Sequence, residues 1–161
     1  MRNPQNLKRE IIKCNISINM KIEIQRIRNI PIPEYQHSGD SGIDLINAGE
    51  SRSLPSLERA LIPTGIKVAV PEGFEIQIRS RSGLALKKGL MVLNSPGTID
   101  SGYRGEIGVI LFNTSASEVL IKKGERIAQA VLQKIERISW EERDSLGRTS
   151  RKEGGFGSTG S

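Results

Sequence analysis

Phe74-Glu75-Ile76-Gln77-Ile78-Arg79 alternates apolar and polar residues without a fault. Successive side chains of an extended chain point to opposite faces, so this spacing predicts a half-buried strand. Upstream, Ile66-Lys67-Val68-Ala69-Val70 repeats the pattern and stops at Pro71-Glu72-Gly73, and Lys21-Ile22-Glu23-Ile24 starts it. Downstream, residues 106–112 and 118–121 supply apolar runs between Gly, Asn and Ser turn signals. Residues 127–135 are spaced for helix or strand, and the surrounding pattern favours strand. One short helix is expected at residues 82–88, which hold good helix formers, two lysines at the end and Gly89 as a stop. The sum is an all-β chain, a sandwich or barrel with one short helix.

A length of 161 residues suits one domain. Hydrophobic residues make up 36% and aromatic residues 4%, so the core rests on Ile, Val, Leu and Ala. Cys14 is the only cysteine and His37 the only histidine, which excludes an internal disulfide and a zinc cluster. The expected compartment is therefore the cytoplasm. No apolar run approaches the roughly 18 residues that span a bilayer, so no membrane partner is expected. The net charge of +6 is concentrated: residues 1–28 hold seven Lys or Arg against two Glu, and the remainder holds 17 against 16. Residues 1–19 are read as a basic, disordered extension, residues 20–150 as the β domain, and the glycine-rich residues 151–161 as a mobile tail.

Candidate chemistry gathers in five segments. Arg79-Ser80-Arg81-Ser82-Gly83 joins strand to helix, where unpaired N–H groups and guanidiniums meet in a small volume suited to phosphate. Residues 94–106 read as a turn-rich hairpin bent at Pro96-Gly97 and Ser101-Gly102. Its tip exposes main-chain groups able to match the edge of a base, with Asn94 adding an amide, Tyr103 a surface for a sugar and Asp100 a carboxylate to activate water. Asp44 and Arg126 are ionisable residues among apolar neighbours and need partners, each other first. The tail, taken alone, is a flexible terminus.

In order, Ser41-Gly42-Ile43-Asp44-Leu45, Arg81-Ser82-Gly83-Leu84-Ala85, the stretch from Gly97 to Glu106, Gly124-Glu125-Arg126-Ile127-Ala128-Gln129 and the stretch from Arg151 to Gly160 resemble the five motifs of the trimeric dUTP pyrophosphatases. The resemblance covers the chain from about Met20 onward. It implies a distorted jelly-roll-like β fold, a homotrimer with active sites between subunits, and a tail that crosses over to close each site. The implied reaction is hydrolysis of dUTP to dUMP and pyrophosphate, which limits uracil in DNA and supplies dUMP for thymidylate synthesis. The implied cofactor is Mg2+, held by phosphate oxygens and water with no direct protein ligand, Asp44 either holding one of those waters or serving only the fold.

Residue by residue, the same resemblance makes Asp100 the general base. Arg81, Ser82, Gly83 and Gln129 grip the phosphates; Asn94, Gly97, Thr98 and Ile99 match uracil; Tyr103 packs on the deoxyribose. From the tail, Phe156 stacks on uracil beside Gly157, while Arg151, Ser158 and Thr159 reach the terminal phosphate. Two positions depart from the common pattern: Gly102 stands where many members carry a second acid, and Lys152 where Gly is frequent. The dCTP deaminases have a similar fold, but Tyr103-Arg104-Gly105-Glu106 and the Phe-containing tail favour pyrophosphate release. A nucleic-acid-binding module would need more aromatics than this chain has, so that reading is kept only as a second role of residues 1–28 and no nucleic acid is required as a partner.

Overall fold

The structure, a computed structural model, describes residues 20–155; the basic extension and Phe156, Gly157, Ser158 and Thr159 lie outside them. Within this range run β1 (Glu23–Arg26), β2 (Ile43–Ile46), β3 (Arg52–Leu54), β4 (Arg59–Pro63), β5 (Ile66–Ala69), β6 (Phe74–Arg79), α1 (Ser82–Lys88), β7 (Leu90–Val92), β8 (Gly97–Ile99), β9 (Gly108–Asn113), β10 (Val119–Ile121) and β11 (Arg126–Lys134). Every pairing is antiparallel. A four-stranded sheet ordered β2-β11-β6-β8 accompanies a three-stranded sheet β4-β9-β7 and the pairs β1-β5 and β10-β3. The fold is the expected all-β, jelly-roll-like sandwich with one short helix.

The alternation in β6 works as its sequence predicts: Ile76 and Ile78 are buried while Glu75, Gln77 and Arg79 stay partly exposed. Val109 and Leu111 of β9, Ala60 and Ile62 of β4, and Leu90 and Val92 of β7 enter the same hydrophobic cluster. Burying each Val, Leu or Ile among them stabilises the fold by about 1.5–3 kcal/mol. The third inward position of β9 is Asn113, fully buried. Its Nδ2 lies within reach of the carbonyls of Leu54, Pro55 and Ser117 at 2.9, 3.1 and 2.8 Å, and its Oδ1 accepts from Ser115 N at 2.9 Å. A polar core residue is tolerated there because its hydrogen bonds tie two loops together.

Residues 127–134 are strand, within β11, and Ile135 lies just beyond its end. A register shift between Arg126 and Ala128 breaks its pairing with β2. Ile127 and Ala128 can therefore both be buried although adjacent, while Arg126 and Gln129 remain accessible.

Residues 94–106 do not form a simple hairpin. β7 and β9 on either side pair with each other, Leu90 opposite Asn113 and Val92 opposite Leu111. The chain between them sends β8 across to β6 in the other sheet. Turn residues mark where a chain bends, but Gly97 and Ile99, both buried, decide which sheet it joins. Regular structure ends at Lys134, and every residue from 136 to 150 is exposed.

Candidate active site

β2, β11 and the junction of β6 with α1 meet at one end of the four-stranded sheet. Register sets Gln129 opposite Asp44 on one side and Arg79 on the other. The Asp44 carboxylate receives Arg81 Nε at 2.8 Å and Arg126 NH1 at 3.4 Å. Arg81 NH1 also donates to Arg126 O at 3.1 Å, and Arg126 NH2 donates to Gln36 Oε1 at 3.0 Å. Two guanidiniums on one carboxylate leave a net positive charge, and Arg81 keeps N–H donors beyond the two it has committed. The expected pairing of Asp44 with Arg126 is present, with Arg81 as a closer partner.

The helix adds to this. Arg81 is its N-cap without a side-chain cap bond, the first turn holds no acid, and Gly89 ends it at φ 65. The first N–H groups of a helix lack internal partners, so those of Ser82 and Gly83 are free to donate. Gln129 Nε2 donates to Ser80 O at 2.9 Å. Arg81, Ser82, Gly83, Gln129, Asp44 and Lys87 line a single cavity of about 560 Å3. Arg79 and Ser80, which the sequence grouped with them, point elsewhere: Arg79 binds Gln77 Oε1 at 2.6 Å, and Ser80 Oγ accepts from Val92 N at 2.9 Å.

A second cluster is built on the excursion that carries β8. The Asn94 amide lies over Gly97, where an added Cβ would sit 3.2 Å from Nδ2. Thr98 and Asp100 are exposed and Ile99 is buried. Tyr103 N donates to Asp100 O at 3.1 Å, closing the turn. The Tyr103 ring folds back over Gly105, and its hydroxyl donates to Glu106 O at 2.9 Å. Glu106 anchors this corner, its Oε1 accepting from Gly65 N at 2.8 Å. Gly105 and Glu106 are site-shaping residues that received no role from sequence; a glycine two positions after an exposed tyrosine was the available signal. Because a Cβ at Gly105 would overlap the Tyr103 ring, Gly105→Ala is expected to displace that ring. A shift in the NMR resonances of the Tyr103 ring, with a thermal melt that shows the fold is kept, checks this.

The two clusters do not meet within one chain. Along β6, Gln129 stands opposite Arg79, whereas Ile99 stands opposite Ile76, leaving Asp100 near Glu75. Four strand residues separate those positions, roughly 13 Å. The cavity around Arg81 contains none of Asn94, Gly97, Thr98, Ile99, Asp100 or Tyr103. Arg151 is apart from both, exposed, its Nε donating to Gly154 O at 2.8 Å. Lys152 beside it adopts φ 49, a left-handed conformation that glycine holds with less strain.

Among the described residues no three His, Cys, Asp or Glu side chains converge as a metal cage. Asp44, held by two arginines, keeps lone pairs for a water. This donor set fits a hard cation that arrives already bound to phosphate oxygens and water.

Fold and cavity together define a jelly-roll-like β protein with a cationic, donor-lined site shaped for a phosphate chain. Residues 28–160 match the dUTPase family model. The deoxyuridine 5'-triphosphate nucleotidohydrolases of Fusobacterium nucleatum and Hydrogenobaculum sp. are 50% and 52% identical to it over 142 residues, covering 88% of this chain and 97% and 99% of theirs. The structure of Staphylococcus bacteriophage 80alpha dUTPase with dUpNHpp is similar at a TM-score of 0.76 and 28% identity, covering 88% of this chain and 99% of that one. The chain belongs to the dUTPase family.

Proposed function

We propose that this chain hydrolyses dUTP to dUMP and pyrophosphate in the cytoplasm, as a homotrimer with active sites shared between subunits. The relatives named as dUTP nucleotidohydrolases at about half identity support the reaction. The observation that supports the assembly is the separation of Asp100 from Arg81 and Gln129 towards opposite ends of β6. A neighbouring copy brings its Asp100 cluster to the cavity, and a tail brings Arg151, Phe156, Ser158 and Thr159 to seal it. Such a seal excludes water and strengthens every polar contact inside.

β8 is the outer strand of its sheet, so one of its edges has no strand beside it among the described residues. Main-chain groups of Gly97 and Ile99 on that edge, with the Asn94 amide, match the alternating acceptors and donor of uracil. Tyr103, pinned over Gly105, packs on the deoxyribose and leaves no room for a 2′-hydroxyl. Arg81, Ser82, Gly83 and Gln129 grip the phosphates and supply donors where charge develops on the leaving oxygens. Asp100 orients a water and takes its proton as the new O–P bond forms at the α-phosphorus. The bond to the bridging oxygen breaks, and pyrophosphate leaves. Asp44 would hold a Mg2+ ion through water, and that ion would supply charge neutralisation for the triphosphate.

The test is pyrophosphate release from dUTP, dTTP, dCTP and UTP in parallel with magnesium. Release from dUTP alone is expected, with a trimer by light scattering; ammonia from dCTP would move the chain to deaminase chemistry.

A further inference from the structure

We propose that Gly42 is a positioning residue that sets the amide of Gln129 in the cavity, an inference that rests on reading that cavity as the triphosphate site. Glycine is not required at this position for its backbone, since Gly42 is not among the residues of positive φ. The requirement is space. A Cβ on Gly42 would overlap Gln129 Oε1 and stand 3.2 and 3.3 Å from Gln129 Cδ and Cβ.

Register explains the approach. Gln129 pairs with Asp44, and Gly42 lies two residues earlier on the same face, so the glutamine leans diagonally across the place where a side chain would stand. On its other side Gln129 Nε2 donates to Ser80 O at 2.9 Å. Held between the Ser80 carbonyl and the bare backbone of Gly42, the amide keeps one N–H for the cavity, which Gln129 and Gly42 both line. The overlap of a methyl at residue 42 is with the far end of a flexible side chain, which can swing aside, while the tighter contact with Gln129 Cβ asks the strands to give only slightly. Gly42→Ala should therefore displace Gln129 while leaving the protein folded.

The experiment is a double-mutant cycle of Gly42→Ala and Gln129→Ala, read by kcat/KM on dUTP, by titration with dUpNHpp and by thermal melting. Gly42→Ala is expected to melt within about 2 °C of wild type. It should lose about tenfold in kcat/KM and in dUpNHpp affinity, as Gln129→Ala does, with no further loss when the two are combined. Equal, additive losses would overturn the proposal, as would a Gly42→Ala enzyme with wild-type kinetics. Should Gly42→Ala alone fail to fold, folding of the double variant would support the contact, and failure of both would overturn it. A wild-type chain that neither hydrolyses dUTP nor binds dUpNHpp would instead refute the reading of the cavity itself.

Discussion

Replacing Asp100 by Asn is expected to slow pyrophosphate release from dUTP about a thousandfold while dUpNHpp binding stays within about threefold of wild type. The substitution preserves shape and removes the ability to take a proton. Asp100 is exposed on its excursion, and its carboxylate forms no ion pair among the described residues, so the exchange leaves no partner stranded. The fold should be unaffected, and a melting curve alongside the kinetics checks this. Turnover within a few-fold of wild type would mean that another group activates the water.

Two inactive chains should restore one another. If each site takes Asp100 from one subunit and Arg81 from its neighbour, refolding Asp100→Asn chains with an equal amount of Arg81→Ala chains recovers about one quarter of wild-type activity. Random mixing sets that fraction: half of the contributing subunits carry an intact Asp100, half of their neighbours carry an intact Arg81, and a working site needs both. Arg81→Ala chains must first be shown to be folded trimers, because Arg81 also holds Asp44 at 2.8 Å. A mixture of two folded but inactive trimers that stays inactive after exchange would argue that each site is built from a single chain. That outcome would require a rearrangement carrying Asp100 across the length of β6.

How much of this was legible beforehand can be judged on particular elements. β6 was readable residue by residue, because strict alternation over six positions allows only one assignment of faces. The helix was readable from its lysines and Gly89, whose left-handed φ confirms the stop. β3, β4 and β7 were not singled out, being three to five residues long with little periodicity of their own. Pairing was less accessible still. That β8 joins β6 rather than closing a hairpin depends on contacts across the core, which no local rule encodes.

The candidate site divides along the same line. The grouping of Arg81, Ser82 and Gly83 follows from one strand-to-helix junction, and sequence reasoning reached it directly. Arg79 and Ser80 stand beside them in sequence, but the Arg79 guanidinium is engaged by Gln77 and the Ser80 hydroxyl by Val92 N. The nearness of Gln129 to Arg81 depends on the pairing of β11 with β6, and the role of Gly105 on a tyrosine folding backwards. Both are three-dimensional facts with only a faint linear trace.

The open edge of β8 has a further consequence, for solubility. A strand with one unpaired edge is a template on which other chains aggregate, and proteins usually guard such edges. Here the guard is brevity: three residues, entered through Pro96 and left through the charge of Asp100. Lengthening the strand to tighten its hold on a base would also lengthen a sticky seam. Replacing Asp100 by a neutral residue removes the charge that closes that seam. Preparations of Asp100→Asn should therefore be kept dilute, because the substitution that silences the chemistry also takes away one of the edge's defences.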